Sequence, residues 1–258
     1  GRTTLAGEGL QHQDGHSHIL ASTIPNCVGY DPAYAYELAI IVQDGMRRMY
    51  AEMENVFYYI TCMNENYRQP AMPPGVEQGV LKGMYLLQIG GKGRVRAQLL
   101  GSGTILREVI AAAEILERDF SIPADVWSVT SFSELRREGL STDRWNRLHP
   151  EETQRKTYVS ECLGNREGPF IAATDYMTLV PDQIRPWVRG NYVVLGTDGY
   201  GRSDTRAALR EYFEVNRNHI VVTALKALSD EGKIDAAMVN EAIDRLGVDP
   251  KRPDPVSR

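Results

Sequence analysis

The chain has 258 residues, of which 42% are hydrophobic and 24% are charged, a balance typical of a folded globular protein. Its net charge of −5 and pI of about 5.6 argue against a nucleic-acid-binding surface, and no apolar stretch is long enough to predict a membrane span. Three isolated cysteines favour a reduced, cytoplasmic protein over a disulfide framework. The chain begins at Gly1 without a methionine, so we expect further polypeptide upstream.

The first part of the chain predicts a loop followed by alternating strands and helices. Residues 1–23 are rich in glycine, histidine and polar side chains, which predicts a loop with a short helix from Asp14 or Gly15. A buried strand is predicted at 24–30, a helix at 34–49 and an aromatic, β-branched strand at 55–61. Residues 64–75 contain three prolines and no apolar periodicity, which indicates an interdomain linker.

The α/β pattern continues beyond this linker. Strands are predicted at 95–100, 125–130, 170–174 and 192–195. Helices are predicted at 105–118, 132–137, 143–148, 218–228 and 235–246, with Gly247 placed to end the last one. The glycine-rich stretch at 196–203 predicts a shaped turn at a domain or subunit interface. Strands that alternate with helices predict an α/β fold whose mostly parallel sheet is covered by helices on both faces.

Residues 7–18 are the densest cluster of titratable side chains, since they contain three of the five histidines. Histidine titrates near neutral pH and suits acid–base catalysis. The pattern alone leaves three interpretations open. His16 and His18 could contribute to a metal site, although they share a face only in an extended segment. The histidines could instead be polar loop residues that cap helices, or they could belong to an active-site loop in which Glu8 and His12 point into a cleft.

The sequence also resembles a known family, the homodimeric pyruvate dehydrogenases of bacteria, and the resemblance extends from Gly1 to about Leu246. The opening motif is very similar to that family: Gly1-Arg2-Thr3-Thr4-Leu5, Gly7-Glu8-Gly9-Leu10-Gln11-His12 and Asp14-Gly15-His16-Ser17. Further matching segments are Ile24-Pro25-Asn26, Tyr30-Asp31-Pro32-Ala33, Asn64-Glu65-Asn66-Tyr67, Arg144-Trp145-Asn146 and Gly196-Thr197-Asp198-Gly199-Tyr200-Gly201-Arg202-Ser203-Asp204.

This resemblance implies the C-terminal portion of a transketolase-like, thiamine-diphosphate-dependent enzyme. Residues 1–72 would be the end of its pyrimidine-binding middle domain, and residues 73–258 its transketolase-type C-terminal domain. It implies a homodimer whose thiamine diphosphate and Mg²⁺ are bound mainly by polypeptide upstream of this chain. The family's Gly-Asp-Gly motif, which holds Mg²⁺, is not found, because Asp198-Gly199 lacks the preceding glycine. We therefore expect no metal site here and no activity from the chain alone.

The implied reaction is the decarboxylation of pyruvate and the reductive acetylation of the lipoyl group of a partner dihydrolipoyl acetyltransferase. The resemblance implies catalytic roles for His12 and Glu8, with Asp14 and His16 as supporting residues behind them. Gln13 stands where some relatives have an acidic residue, which puts a charged role at that position in doubt. The alternatives are another thiamine-dependent 2-oxo acid dehydrogenase, or a non-catalytic dimerisation and structural module of such an enzyme.

Overall fold

The computed structural model describes residues 1–5 and 8–257. Its main sheet consists of β3 (Met84–Gln88), β4 (Ala97–Gly101), β5 (Ala124–Val129), β6 (Phe170–Ala173) and β7 (Tyr192–Leu195). The strand order is β3-β5-β4-β6-β7, in which β3 is antiparallel to β5 and the other neighbours are parallel. The predicted mostly parallel sheet is therefore confirmed, with one antiparallel edge strand added.

Helices cover both faces of this sheet. They are α4 (Leu106–Phe120), α5 (Phe132–Leu148), α6 (Tyr158–Leu163), α7 (Leu179–Asp182), α8 (Arg206–Tyr212), α9 (Arg217–Asp230) and α10 (Ala236–Leu246). Adjacent residues of β4 face opposite sides, so Leu99 packs in the core with α4 and α9, whereas Leu100 packs in the core with α5 and α6. Within residues 1–5 and 8–257, no helix combines the length and the apolar character that a membrane span requires.

A smaller unit precedes the main sheet. It contains α1 (Ser17–Ser22), β1 (Cys27–Tyr30), α2 (Ala35–Met46), a π-helical turn (Arg47–Ala51) and β2 (Phe57–Ile60). β1 and β2 form a two-stranded parallel sheet. Residues 61–73 have no regular secondary structure, and α3 (Glu77–Lys82) then leads into β3. The boundary between two domains at residue 72 stays a prediction.

Local pattern and structure differ at several elements. The two helical segments predicted at 132–137 and 143–148 are one continuous helix, α5. Gly139 at its centre has a packing role, because a Cβ atom there would lie 2.6 Å from the Trp187 ring. The short elements α3, β3, α6, α7 and α8 were not predicted. Gly247 ends α10 in the left-handed conformation (φ 67°), as predicted.

Glu37 on α2 joins the smaller unit to the main sheet and is fully buried. One carboxylate oxygen accepts hydrogen bonds from the hydroxyls of Tyr85 on β3 (2.7 Å) and Ser128 on β5 (2.6 Å). The other oxygen accepts from the N–H groups of Ala33 (2.6 Å) and Tyr34 (3.0 Å). Burial raises the pKa of Glu37, and the four donors oppose that shift.

Glu37→Ala should destabilise the fold, because it leaves four donors without their acceptor. We expect the free energy of unfolding to fall by about 3 kcal/mol or more, measured by urea denaturation. Glu37→Gln should cost less, since its amide group can face the two hydroxyls, which are free to rotate. Glu114→Ala, on the exposed face of α4, is the control and should change stability by less than about 0.5 kcal/mol. Equal stability of Glu37→Ala and wild type would contradict this role.

Candidate active-site loop and its anchors

In the sheet, β4 lies between β5, the next strand along the chain, and β6. The chain therefore leaves β4 toward one side and leaves β6 toward the other, and the carboxyl ends of these two strands border a crevice. Ligands commonly bind in such a crevice in open parallel sheets. Here the N–H and hydroxyl groups of Thr3 donate to Asp175 Oδ1 (2.8 and 2.6 Å), and the Thr4 hydroxyl donates to Oδ2 (2.6 Å). The Thr4 hydroxyl also lies 2.9 Å from that of Thr104, just beyond β4. The chain's own first residues therefore occupy the crevice.

The motif with the predicted catalytic residues forms an exposed turn. We call residues 8–16 the histidine loop; Gly7 of the predicted motif lies outside the described residues. The N–H groups of His12 and Gln13 donate to the carbonyl of Gly9 (3.4 and 3.2 Å), whose φ is 74°. The side chains of Glu8 and His12 are exposed, and in the described part of the chain no hydrogen bond joins them. The structure thus places both on one turn without pairing them.

Arg2 holds the histidine loop on its buried side and is only 2% exposed. Its guanidinium lies against Gly15, where a Cβ atom would come within 2.0 Å of Nη2. Nη2 lies 3.4 Å from Nδ1 of His16. Burial lowers the pKa of Arg2, and nearby carboxylates, the first of which is Asp14, oppose that shift. The backbone N–H of Arg2 donates to the carbonyl of Asp175 (3.1 Å), which connects the loop to the sheet crevice.

Gln13 provides a second anchor and is buried. Its amide donates to the carbonyl of Leu5 (2.9 Å), and its side-chain oxygen accepts from the N–H of Arg202 (2.9 Å). The N–H of Met177 donates to the carbonyl of Gly15 (3.0 Å). The predicted turn at 196–203 therefore contacts the histidine loop through Arg202. At position 13 the neutral amide of Gln13 joins Leu5 to Arg202 by two hydrogen bonds, without a charge.

Asp14 holds the end of the loop at the start of α1. Its carboxylate accepts hydrogen bonds from the N–H groups of His16 (2.9 Å) and Ser17 (3.0 Å), and from the Ser17 hydroxyl. Burial alone would raise the pKa of Asp14, but these hydrogen bonds outweigh it and hold the pKa below its ordinary value. Asp14 and His16 therefore lie where they can shape the loop, and their support of the catalytic pair stays a prediction.

A buried polar group that the sequence did not single out lies behind α1. His18 Nε2 is 3.1 Å from the hydroxyl of Thr61, which donates to Asp31 Oδ1 (2.7 Å). Burial lowers the pKa of His18 and raises the pKa of Asp31. Because His18 is buried and His16 is exposed, the two do not form a common metal site. One feature of the sequence does indicate this buried polar group: Asp31 is a charged residue that directly follows a buried strand, β1.

Among residues 1–5 and 8–257, no group of three His, Cys, Asp or Glu side chains is arranged to hold a metal ion. Four clefts of about 150 to 590 Å³ on this surface are lined by residues other than Glu8 and His12. An imidazole and a carboxylate on an exposed turn are both able to form hydrogen bonds to a ligand.

Comparisons with known proteins agree with this architecture. Residues 1–70 match the model of the pyruvate dehydrogenase E1 component middle domain, and residues 83–216 match that of the transketolase-like C-terminal domain. The pyruvate dehydrogenase E1 component of Pseudomonas aeruginosa is 61% identical over 258 residues, which cover 99% of this chain and 29% of that protein. The corresponding protein of Escherichia coli K12 is 54% identical over 259 residues, with the same coverage. A transketolase from Pichia stipitis has the same fold (TM-score 0.63, 17% identity, 90% of this chain and 29% of that one).

The sheet order and the C-terminal match, which covers just over half of the chain, define a protein of the transketolase-like class. The chain belongs to the pyruvate dehydrogenase E1 component family, as its identity to several curated members and the middle-domain match show. It spans 29% of the length of these relatives. The family and the fold expected from the opening motif are thereby confirmed.

Arg2→Met should loosen the histidine loop, because it removes the guanidinium that lies against Gly15. We expect the Met177 amide, which donates to the Gly15 carbonyl, to exchange about tenfold faster with solvent deuterium, a local loss of ~1.4 kcal/mol. The Leu99 amide in β4 serves as the internal reference. Arg94→Met is the control at an exposed arginine. Unchanged exchange at Met177 would show that Arg2 does not anchor the loop.

Proposed function

We propose that this chain forms one wall of the active site of a thiamine-diphosphate-dependent pyruvate dehydrogenase. The enzyme decarboxylates pyruvate and reductively acetylates the lipoyl group of a partner dihydrolipoyl acetyltransferase. The observation that carries the proposal is the histidine loop, whose backbone is fixed by buried Arg2 and Gln13 while Glu8 and His12 are exposed. A fixed backbone with free functional groups is the arrangement that orients a reacting molecule. The names of the relatives support the reaction class.

Each exposed residue of the pair has a distinct role in this proposal. Thiamine diphosphate, when bound, supplies the nucleophilic carbon and the electron sink for decarboxylation. His12 donates a hydrogen bond to the carbonyl oxygen of pyruvate, on which negative charge develops. Glu8 accepts a hydrogen bond from the other ring nitrogen and so sets the tautomer of the imidazole. Since both side chains are exposed in this chain, an adjoining wall must exclude water from them.

The smaller unit provides surfaces for such an adjoining wall. The N–H of Thr61 donates to Tyr30 of β1, and that of Phe57 donates to Asn26 directly before β1. The N–H groups of Tyr58 and Ile60 therefore point toward the other edge of β2, which within the described part of the chain pairs with β1 alone. An isolated pair of parallel strands is unusual, because parallel sheets are normally larger and covered. A stripe of apolar side chains is also 42% to 78% exposed: Val42, Met46, Tyr50 and Met53. These surfaces fit further polypeptide of the same enzyme.

We assign the remaining parts of the active site to that polypeptide. The diphosphate and Mg²⁺ would be held upstream, and the second copy of a homodimer would complete the pocket. Three free cysteines accord with a cytoplasmic enzyme. The open strand edge and the apolar stripe would also suit a purely structural dimerisation module, so the test must address the function of the histidine loop itself.

The isolated chain should neither bind thiamine diphosphate tightly nor turn over pyruvate, because the described residues include no group of three His, Cys, Asp or Glu side chains that could hold the Mg²⁺ of the cofactor. We expect calorimetric titration with thiamine diphosphate and Mg²⁺ to show no binding at micromolar concentrations. The full-length enzyme is the positive control. Micromolar affinity of the isolated chain would contradict the assignment of the cofactor site to other polypeptide.

His12→Ala in the full-length enzyme should lower the turnover of pyruvate by about 100- to 1,000-fold, the usual range for loss of one donor to a developing oxyanion. Its side chain is exposed, so the variant should fold with an unchanged denaturation midpoint. Gln11→Ala, also exposed on the histidine loop, is the matched control and should stay within about twofold of wild type. A full rate in His12→Ala would favour the structural module.

A further inference from the structure

One continuous stretch of the chain, residues 202–210, contacts both the histidine loop and the segment that leads into it. This stretch ends the glycine-rich turn and begins α8. The N–H of Arg202 donates to the side chain of Gln13 (2.9 Å). A Cβ atom on Gly9 would lie 2.6 Å from Oγ of Ser203, so these two residues are also in close contact. The turn therefore packs against the loop directly before α8 begins.

Two arginines of α8 hold the segment that leads into the loop. Nε of Arg206 donates to the carbonyl of Thr4 (2.7 Å), and Nε of Arg210 donates to the hydroxyl of Thr3 (3.3 Å). The arginines are four residues apart on a helix, so their side chains lie on the same face. Thr3 and Thr4 are both buried, and they are therefore held by this face of α8 as well as by the Asp175 carboxylate.

The same two arginines also reach the irregular segment at 61–73. Nη2 of Arg206 donates to Oδ1 of Asn64 (3.3 Å). Both terminal nitrogens of Arg210 donate to the carboxylate of Glu65. Each arginine thus has one contact on the segment before the histidine loop and one on the 61–73 segment. The start of α8 joins these two segments, which lie about 60 positions apart in the sequence.

Arg210 and Arg206 differ in how strongly the fold depends on them. Arg210 is buried, and its partner Glu65 also accepts a hydrogen bond from Arg107 on α4 (2.6 Å). Burial would raise the pKa of Glu65, but the hydrogen bonds and positive charges of Arg210 and Arg107 outweigh it and lower the pKa. Removing Arg210 would leave a largely buried carboxylate without its main partner, which endangers the fold. The side chain of Arg206 is 32% exposed, so it can be changed without that penalty.

We infer that Arg206 is a positioning residue for His12, a role that rests on the proposed function. Its hydrogen bond to the carbonyl of Thr4 fixes the backbone that enters the histidine loop, and its contact with Asn64 ties that point to the 61–73 segment. Arg206 acts through the loop, by keeping the imidazole directed at the carbonyl oxygen of pyruvate. A displacement of about 1 Å at a catalytic group can cost on the order of 100-fold in rate, so a contact at the base of the loop is enough to affect turnover.

Arg206→Met in the full-length enzyme tests this role. The variant keeps an unbranched side chain that suits a helix and removes both hydrogen bonds. We expect the turnover of pyruvate to fall about 10- to 100-fold, because the imidazole is misplaced, while the denaturation midpoint and the affinity for thiamine diphosphate stay unchanged. Arg185→Met is the matched control, since Arg185 is also partly exposed (48%) and also donates to a backbone carbonyl, that of Tyr192 (2.8 Å). Its turnover should stay within about twofold of wild type.

A double variant shows whether Arg206 acts through His12. If Arg206 only places the imidazole, His12→Ala already removes what Arg206 controls, and the double variant His12→Ala/Arg206→Met should turn over pyruvate at the rate of His12→Ala alone. A loss of folded enzyme would instead multiply the two effects. Where His12→Ala itself lowers turnover, multiplied effects or a wild-type rate in Arg206→Met overturn the inference.

Amide hydrogen exchange separates this inference from the proposed function. The buried N–H of Thr3 donates to Asp175, and that of Gln13 donates to Gly9 within the loop. In full-length Arg206→Met both amides should exchange about tenfold faster with solvent deuterium, whereas the Leu99 amide in β4 should not change. Unchanged exchange at Thr3 and Gln13 overturns the inference whatever the turnover. A full rate in His12→Ala contradicts the proposed function instead, and amide exchange then decides alone whether Arg206 positions the loop.

Discussion

The carboxylate of Asp175 fixes the geometry on which the histidine loop depends. It lies just beyond β6 with no exposed surface, where an ionised group must be compensated by donors or positive charge. Thr3 and Thr4 supply three hydrogen bonds, and the buried guanidinium of Arg210 donates to the Thr3 hydroxyl (3.3 Å). Thr3 and Thr4 belong to the segment that precedes the histidine loop. Their hydrogen bonds to the Asp175 carboxylate therefore also fix where that segment crosses the sheet.

This contact also explains why the proposed functional groups, Glu8 and His12, lie beside the sheet crevice rather than in it. The place where an open parallel sheet would accept a ligand is taken by Thr3 and Thr4, which leaves residues further along the chain for the proposed function. The histidine loop turns outward at Gly9, and Gln13 bridges it to the 196–203 turn. Ordering the loop backbone within the fold reduces the entropy that remains to be lost when a ligand binds.

The sequence predicted those features that local pattern controls. Long apolar runs indicated β4, α4 and α9, and the opening motif indicated the family. Contacts between distant residues escaped this reasoning: Asp175 lies 172 positions from Thr3, and no local pattern reports that they meet. Likewise, the sequence predicted separate helices at 132–137 and 143–148, whereas α5 is continuous and packs against Trp187 at Gly139 between them. The exposure of Glu8 and His12 depends on which neighbours are buried, and those neighbours are set by the same long-range contacts.

Three buried carboxylates, those of Asp175, Glu37 and Asp31, lie where the first part of the chain meets the main sheet. Apolar contacts tolerate small sliding movements, whereas a buried carboxylate demands donors at defined positions and loses several kcal/mol, roughly 3–5, when one charged partner is removed. These acids therefore fix the orientation of the first part of the chain on the main sheet. Asp31 illustrates the point, because its backbone N–H and carbonyl also pair with Thr130 and Gly103 of the main-sheet unit (2.8 and 3.1 Å). In the proposed function the histidine loop meets a ligand held by other polypeptide. Such a loop needs a fixed orientation, since an error at its base would be carried to His12.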